Sequence, residues 1–317
     1  MLKNMLIILA IPALIFLGGK AAFHYRISTA LDAGLEQAAP FVTASYETVT
    51  SDIDGTVGIR GISISPVGQD DVYEIEELSV KFPDILYLWD IEEQASKLIL
   101  PERLEFNMLG LSLDPDGDLI EEWEQSFIES EGYAAVAGNC VARSLNLVST
   151  MSDLGFREAV FDATGGFKFV DTEFSVFGHY SARDAESADV EITFPETTNN
   201  YASVAMALAD PTLLRASVTL KDEGMRDRLY EYCKRLEDLE PEQVNELLEA
   251  EWVARAMRFG IMPDEPLLES YREYLNSSSG KTFTITSEPW NPQKFSNMSL
   301  FEPEDMPDLL NLSAHVN

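Results

Sequence analysis

From 5 to 23 the chain reads MLIILAIPALIFLGGKAAF, apolar at every position but Lys20. At about 1.5 Å per residue such a helix spans roughly 28 Å, close to the roughly 30 Å hydrocarbon core of a bilayer. Lys20 lies near one end, where its stem can carry the ammonium to the interface, and Pro12 kinks a spanning helix without preventing insertion. The expectation is a tail at 1–4, a transmembrane anchor at 5–23 and a juxtamembrane helix at 24–40, where HYRISTALDAGLEQAAP continues with helical character. A cleaved signal peptide is the competing reading, with Lys3 as its charged start, 5–17 as its apolar run and Gly19-Lys20-Ala21 as its cleavage site. Either route exports the remaining body, 41–317.

Beyond the anchor the period of the apolar positions falls to two. FVTASYETVT ends at the turn signal Asp54-Gly55, TVGIRGISISP follows with Val57, Ile59, Ile62 and Ile64, and ELSVKF aligns Leu78, Val80 and Phe82. Pro83 breaks the meander, and an amphipathic stretch carrying Ile85, Leu88 and Trp89 runs from Asp84 to near Ala95. LEFNMLGLSLD alternates from Leu104 to Met108 and slips phase at Leu109, as a bulge would. Helical spacing places Ile120, Trp123 and Phe127 on one stripe and predicts a second helix over 141–154, ending at Gly155. EAVFDA, FKFV, EFSVFGHYSA, DVEITF and LRASVTL then read as short strands separated by turn residues.

From Glu223 the period becomes 3.6. Met225, Leu229, Tyr232, Cys233 and Leu236 form one stripe, and Val244, Leu247, Leu248 and Trp252 form another after Pro241. A third helix covers 265–275, TFTITSEP is a last strand and PEDMPDLLNL a short terminal helix. The predicted fold class is therefore α+β: an N-terminal transmembrane helix, then an antiparallel-β-rich body with several amphipathic helices, mainly C-terminal. The acidic stretch 114–131 is the one place where two sub-domains could join.

Twenty-two Lys and Arg against fifty-five Asp and Glu give a net charge of −33. Nucleic acid is thereby excluded as an expected partner, because phosphate binding needs clustered cations. Hydrophobic content of 45% still supports a folded core. A short N-terminal tail ahead of a long C-terminal body places the body outside the cytoplasm. An exported domain with Cys140 and Cys233 as its only cysteines can form one disulfide, or can keep two buried thiols. Cys140 opens a predicted helix and Cys233 lies on an apolar stripe, so a bridge is the expectation taken forward.

No motif carries chemistry through inspection. DPDGDLIEEWEQ places Asp114, Asp116 and Asp118 like calcium-loop ligands, but Leu119 stands where that loop needs Gly, and Gln125 where it needs Glu. Gly55, Gly58 and Gly61 are spaced GxxGxxG inside a predicted hairpin, not GxGxxG between strand and helix. His24, His179 and His315 are far apart, and no HExxH, GxSxG or P-loop occurs. No catalytic, cofactor or metal residue is assigned, and no cofactor is expected.

Several segments together resemble a family of uncharacterised single-pass envelope proteins of Gram-negative bacteria: DIDGTVGIRGISISP, LEFNMLGLSLD, MSDLGFREAVFDATGGFKF, LRASVTLKDEGMRDRLYEYCKRL and GKTFTITSEPWNPQ. The resemblance implies an inner-membrane anchor and a β-rich periplasmic body, and it transfers no catalytic residue. GTVGIRGISI is also similar to the first strands of AsmA-like envelope proteins, whose β-grooves are associated with lipid homeostasis and transport. The function expected is non-enzymatic: binding of a lipid or an envelope protein in an apolar groove between sheet and helices. A structural or assembly factor contacting other membrane proteins is the alternative, and a hydrolase-type enzyme with an unrecognised carboxylate site is the third.

Overall fold

The computed structural model describes residues 24–317 apart from 26–27, 30, 34, 53, 69–70, 85, 88–90, 119, 123, 126–138 and 147. The expected anchor at 5–23 lies outside these residues. Among the described residues no helix is long and apolar enough to cross a membrane. The described positions between 24 and 38 are helical.

An 11-stranded antiparallel sheet organises the body. Its first half consists of β1 (Val42–Ser45), β2 (Thr48–Ser51), β3 (Thr56–Pro66), β4 (Tyr73–Lys81) and β5 (Arg103–Leu113). The second half consists of β6 (Ala159–Val170), β7 (Glu173–Ala182), β8 (Glu186–Phe194), β10 (Arg215–Asp222), β11 (Thr282–Ser287) and β13 (Leu312–Val316). The spatial order is β1-β3-β4-β5-β6-β7-β8-β10-β11-β13, with β2 also paired to β3. The short strands β9 (Thr212–Leu213) and β12 (Gln293–Lys294) pair apart from it. Short connections explain the antiparallel order: Asp171, at φ 55°, supplies the left-handed turn that a two-residue hairpin between β6 and β7 requires.

The phase slip at Leu109 is a bulge, since the β5–β6 register shifts between Met108 and Leu111. Three segments differ from their expected form. FVTASYETVT is broken into β1 and β2. EAVFDA and FKFV merge into one β6 that runs straight through Gly165-Gly166. The helix expected over 141–154 becomes α2 (Cys140–Asn146) and α3 (Thr150–Asp153), preceded by α1 (Ile91–Ser96). The Glu124 carboxylate accepts from both the Ser149 N–H (2.7 Å) and its hydroxyl (2.6 Å), which draws that backbone donor out of a continuing helix. Of the stripe Ile120, Trp123 and Phe127, only Ile120 lies within the described residues, where it is buried. The segment with Ile85, Leu88 and Trp89 likewise falls outside them at those positions. Part of 114–131 is also outside, but β5 before it and β6 after it pair directly.

After β8 comes α4 (Tyr201–Ala209), and after β10 come α5 (Met225–Glu237), α6 (Pro241–Arg258) and α7 (Glu265–Leu275). The short α8 (Phe295–Met298) and α9 (Met306–Leu309) precede β13. Sequence chemistry sets the helix starts. In α6, Glu240 and Gln243 form a reciprocal capping box ahead of Pro241, and in α7 the Asp264 carboxylate accepts from Leu267 N–H at 3.2 Å. These helices bury their apolar stripes on the sheet, around Phe283, Val141, Val244 and Leu229. Each such side chain contributes about 1.5–3 kcal/mol on burial.

Candidate apolar groove

Register assigns every strand residue to one of two faces. On one face, partners across strands are polar and bonded: Arg60 to Glu77 (2.7 Å), His179 to Asp189 (2.8 Å), Thr219 to Thr284 (3.0 Å) and Thr286 to Ser313 (2.8 Å). The other face is apolar from edge to edge. One row crosses it as Val57, Val80, Phe106, Gly165, Gly178, Val190, Val218 and Ile285. The next runs Ile59, Leu78, Met108, Ala163, Tyr180, Ala188, Leu220 and Phe283.

The helices do not cover all of this face. Towards one end of the strands α2, α3 and α5–α7 pack over Phe161, Ala182, Leu220 and Phe283. Towards the other end Val204 of α4 packs over Phe167, Phe174, Phe194 and Ile192. Between these two clusters lies a band in which Leu78, Phe106, Val176, Tyr180, Val190 and Val218 keep between 37% and 51% of their surface exposed. Gly165 and Gly178, paired in register, form its floor. A methyl group on Gly165 would meet nothing nearer than the Phe177 carbonyl at 3.9 Å, so the groove is open there. Half-exposed apolar side chains in so continuous a row are unusual on a soluble surface and mark a place where something apolar is held.

Next to the band in register lies a pocket beneath α5, α6 and α7. Ala188 and Leu220, register neighbours of Tyr180, form its sheet wall, and Trp252, Tyr271 and Leu248 form its helical wall. Trp252 stacks on Tyr271 with ring centroids 4.6 Å apart, and Phe283 lies 5.3 Å from Tyr271. The cavity is about 210 Å³, below the roughly 300–1,000 Å³ of a site enclosing a drug-sized molecule. It suits one end of an elongated ligand.

Charged groups meet at this pocket. Asp222 and Arg226 are buried and joined at 3.0 Å, and the Arg226 guanidinium also donates to the carbonyls of Tyr274 (2.6 Å), Leu275 (2.8 Å) and Ser277 (3.2 Å). Those bonds satisfy the end of α7, whose last carbonyls have no helical partner. Arg255 is held by Glu251 at 3.0 Å. Glu186 stands at the mouth with solvent-facing surface, yet the protein packed around it raises its carboxyl above the usual range, by desolvation first and by the Asp222 charge second, while Arg255 works the other way. Burial also raises the Tyr271 phenol and pushes Tyr274 and Tyr180 up to about 12, with Glu186 adding to each shift. The phenols therefore keep their protons at neutral pH.

Of the residues singled out from sequence, the structure brings Cys140 and Cys233 together: they are disulfide-bonded with Cα atoms 5.4 Å apart, tying α2 to α5. The histidines stay apart. His179 on β7 and His315 on β13 share a cross-sheet row but are separated by β8, β10 and β11. Asp114 accepts from Asp116 N–H at 3.0 Å, and Asp116 accepts from Ser152 at 3.1 Å, so this acidic loop bonds within the protein. No group of three or more His, Cys, Asp or Glu side chains placed to hold a metal occurs among the described residues. Gly55, Gly58 and Gly61 belong to the β3 hairpin, with Gly61 at φ 61° beneath the Glu47 side chain. Sequence reasoning passed over Glu186, Asp222, Gly165 and Gly178. The spacing of Asp222 and Arg226 at a strand-to-helix junction was the one available signal.

Residues 159–317, which contain β6–β13 and the whole pocket, match a family model described as "Uncharacterized protein". No curated protein matches the chain.

Proposed function

The chain belongs to that family of uncharacterized proteins, and we propose from its own residues that it is a non-enzymatic envelope protein whose groove holds the apolar chain of a lipid-like molecule. The observation that carries this reading is the band from Leu78 to Val218, half-exposed and passing between two packed helical clusters. In the same reading, 5–23 anchors the protein in the inner membrane and the body lies in the periplasm beside its ligand. The length and apolarity of that segment support this, as does the likeness to single-pass envelope proteins. Full-length protein recovered from membranes should retain Met1 or Leu2 on intact-mass analysis. A mature chain starting near Ala22 would make the segment a signal peptide.

The groove is tested by filling it. Gly165→Leu projects a side chain into the open floor without touching the core, so the variant should fold. Mass spectrometry of co-purified material should find lipid on the wild type and much less on the variant. Equal lipid on both, or none on either, would overturn the groove reading.

A second reading has its own observation. Met206, Phe259, Trp290 and Leu300 are each more than three-quarters exposed, large apolar side chains that an assembly factor could offer to a partner. Crosslinking that captures a membrane-protein partner through these positions, with no lipid in the groove, would favour it.

A further inference from the structure

Resting on the groove reading, we infer that the pocket beneath α5–α7 receives an ammonium group carried on the apolar chain, so that the ligand is a cationic amphiphile. The argument begins with pairing among the charged residues at the pocket. Arg226 is matched by Asp222 at 3.0 Å and Arg255 by Glu251 at 3.0 Å, while Lys221 turns to Glu223 at 2.5 Å. Glu186, at the mouth, is the lining carboxylate with no bonded side-chain partner of its own among the described residues, although the Arg255 charge attracts it. Trp252 and Tyr271, stacked on each other, line the same cavity, and the π face of an aromatic ring attracts a cation.

Continuity fixes which molecule brings that cation. The pocket's sheet wall, Ala188 and Leu220, is next in register to Tyr180, and Val190 and Val218 follow on the same face, so one chain can lie in the band with its end at Glu186. The cavity of about 210 Å³ admits a compact head and excludes a large one. The net charge of −33 favours the approach of a cation and opposes that of an anionic amphiphile. The Glu186 carboxylate supplies a charge-assisted hydrogen bond to an N–H head.

The test uses the full-length protein and three probes of equal chain length: decylammonium, decanol and decyl sulfate, each below its micelle concentration, titrated by calorimetry. Decylammonium should bind at least about tenfold more tightly than decanol, from a charge-assisted bond and cation–π contact, with decyl sulfate weakest. Glu186→Gln should abolish the preference for decylammonium while leaving decanol binding in place, and Gly165→Leu should weaken all three. If the chains bind without preference for the ammonium, or if Glu186→Gln leaves the preference intact, the inference fails and the groove stands. If no probe binds, the groove reading fails with it. Binding of lysine amide as tight as that of decylammonium would also overturn it, because the cation would then need no chain.

Discussion

Gly165 and Gly166 are neighbours with opposite surroundings. A methyl group on Gly165 would point into the open groove, whereas one on Gly166, on the other face of β6, would stand 2.2 Å from the Leu104 carbonyl and 2.9 Å from the Phe177 ring. The backbone of β5 thus crosses Gly166 at a distance that only glycine permits.

Substitution should separate the pair. Gly166→Ala forces two strands apart and is expected to cost about 1–3 kcal/mol or more. Gly165→Ala should stay within about 1 kcal/mol of wild type, helped by the loss of unfolded-state freedom. Urea unfolding midpoints measure both, and similar losses for the two would contradict this account of the β5–β6 approach.

Arg226 is a structural cation. It closes the end of α7 through three carbonyls, lies 4.7 Å over the Tyr274 ring and pairs with buried Asp222. Removing either partner strands the other in the interior, so Arg226→Ala and Asp222→Ala should each cost about 3–5 kcal/mol. The double variant should cost clearly less than the sum, as a double-mutant cycle reports for coupled groups. Strict additivity would mean that the two act independently.

The Cys140–Cys233 bridge spans a sequence separation of 93, for which chain entropy gives about 4–5 kcal/mol. The paired Cys140→Ala, Cys233→Ala variant should therefore unfold at a much lower urea concentration than the oxidised wild type. Adding reductant should lower the wild-type midpoint and leave the variant unchanged. A wild type indifferent to reductant, with both thiols alkylated after denaturation, would leave the two cysteines as unlinked core residues.

Glu186 sets a pH signature. Its carboxyl holds a proton more tightly in the folded chain than in the unfolded one, by desolvation and then by Asp222, with Arg255 opposing. Stability is accordingly full below the ordinary carboxylate value and declines as pH rises from there through the raised folded value. Glu186→Gln removes that decline. The difference in unfolding midpoint between variant and wild type should grow in the variant's favour from acid to neutral pH. A difference that stays constant with pH would show that Glu186 titrates normally.

Much of the fold was legible where a local period was clean. Leu109 broke the alternation of β5, and a bulge lies there. Leu229, Tyr232 and Cys233 shared one stripe, and α5 buries them. Gly165-Gly166 read as a turn because glycine pairs commonly are turns, but here they lie inside a long strand, where the close approach of β5 requires glycine at Gly166 alone. α4 was missed because YASVAMALA is apolar all round, with Met206 and Leu208 left exposed, so it shows no amphipathic stripe. β13, LSAHV, was missed because its five residues follow a short helix without a turn signal of their own. The site was the least legible part. Glu186 is one of fifty-five acidic residues, and nothing in its neighbours distinguishes it from the rest.

What the sequence determined by itself is local: the strands and their apolar faces, the stripes and caps of α5, α6 and α7, and the acidic surface. Each follows from residues within a few positions of one another, where backbone geometry dictates which side chains share a face. The tertiary structure decided what those faces meet. It placed Glu186 of β8, Trp252 of α6 and Tyr271 of α7 around one cavity, and set Cys140 against Cys233. It also left the row through Gly165 and Gly178 uncovered between two helical clusters. Such arrangements arise from mutual burial of distant segments after the chain has closed its loops, and alternation along a strand says that a face is apolar without saying which helix, if any, will cover it.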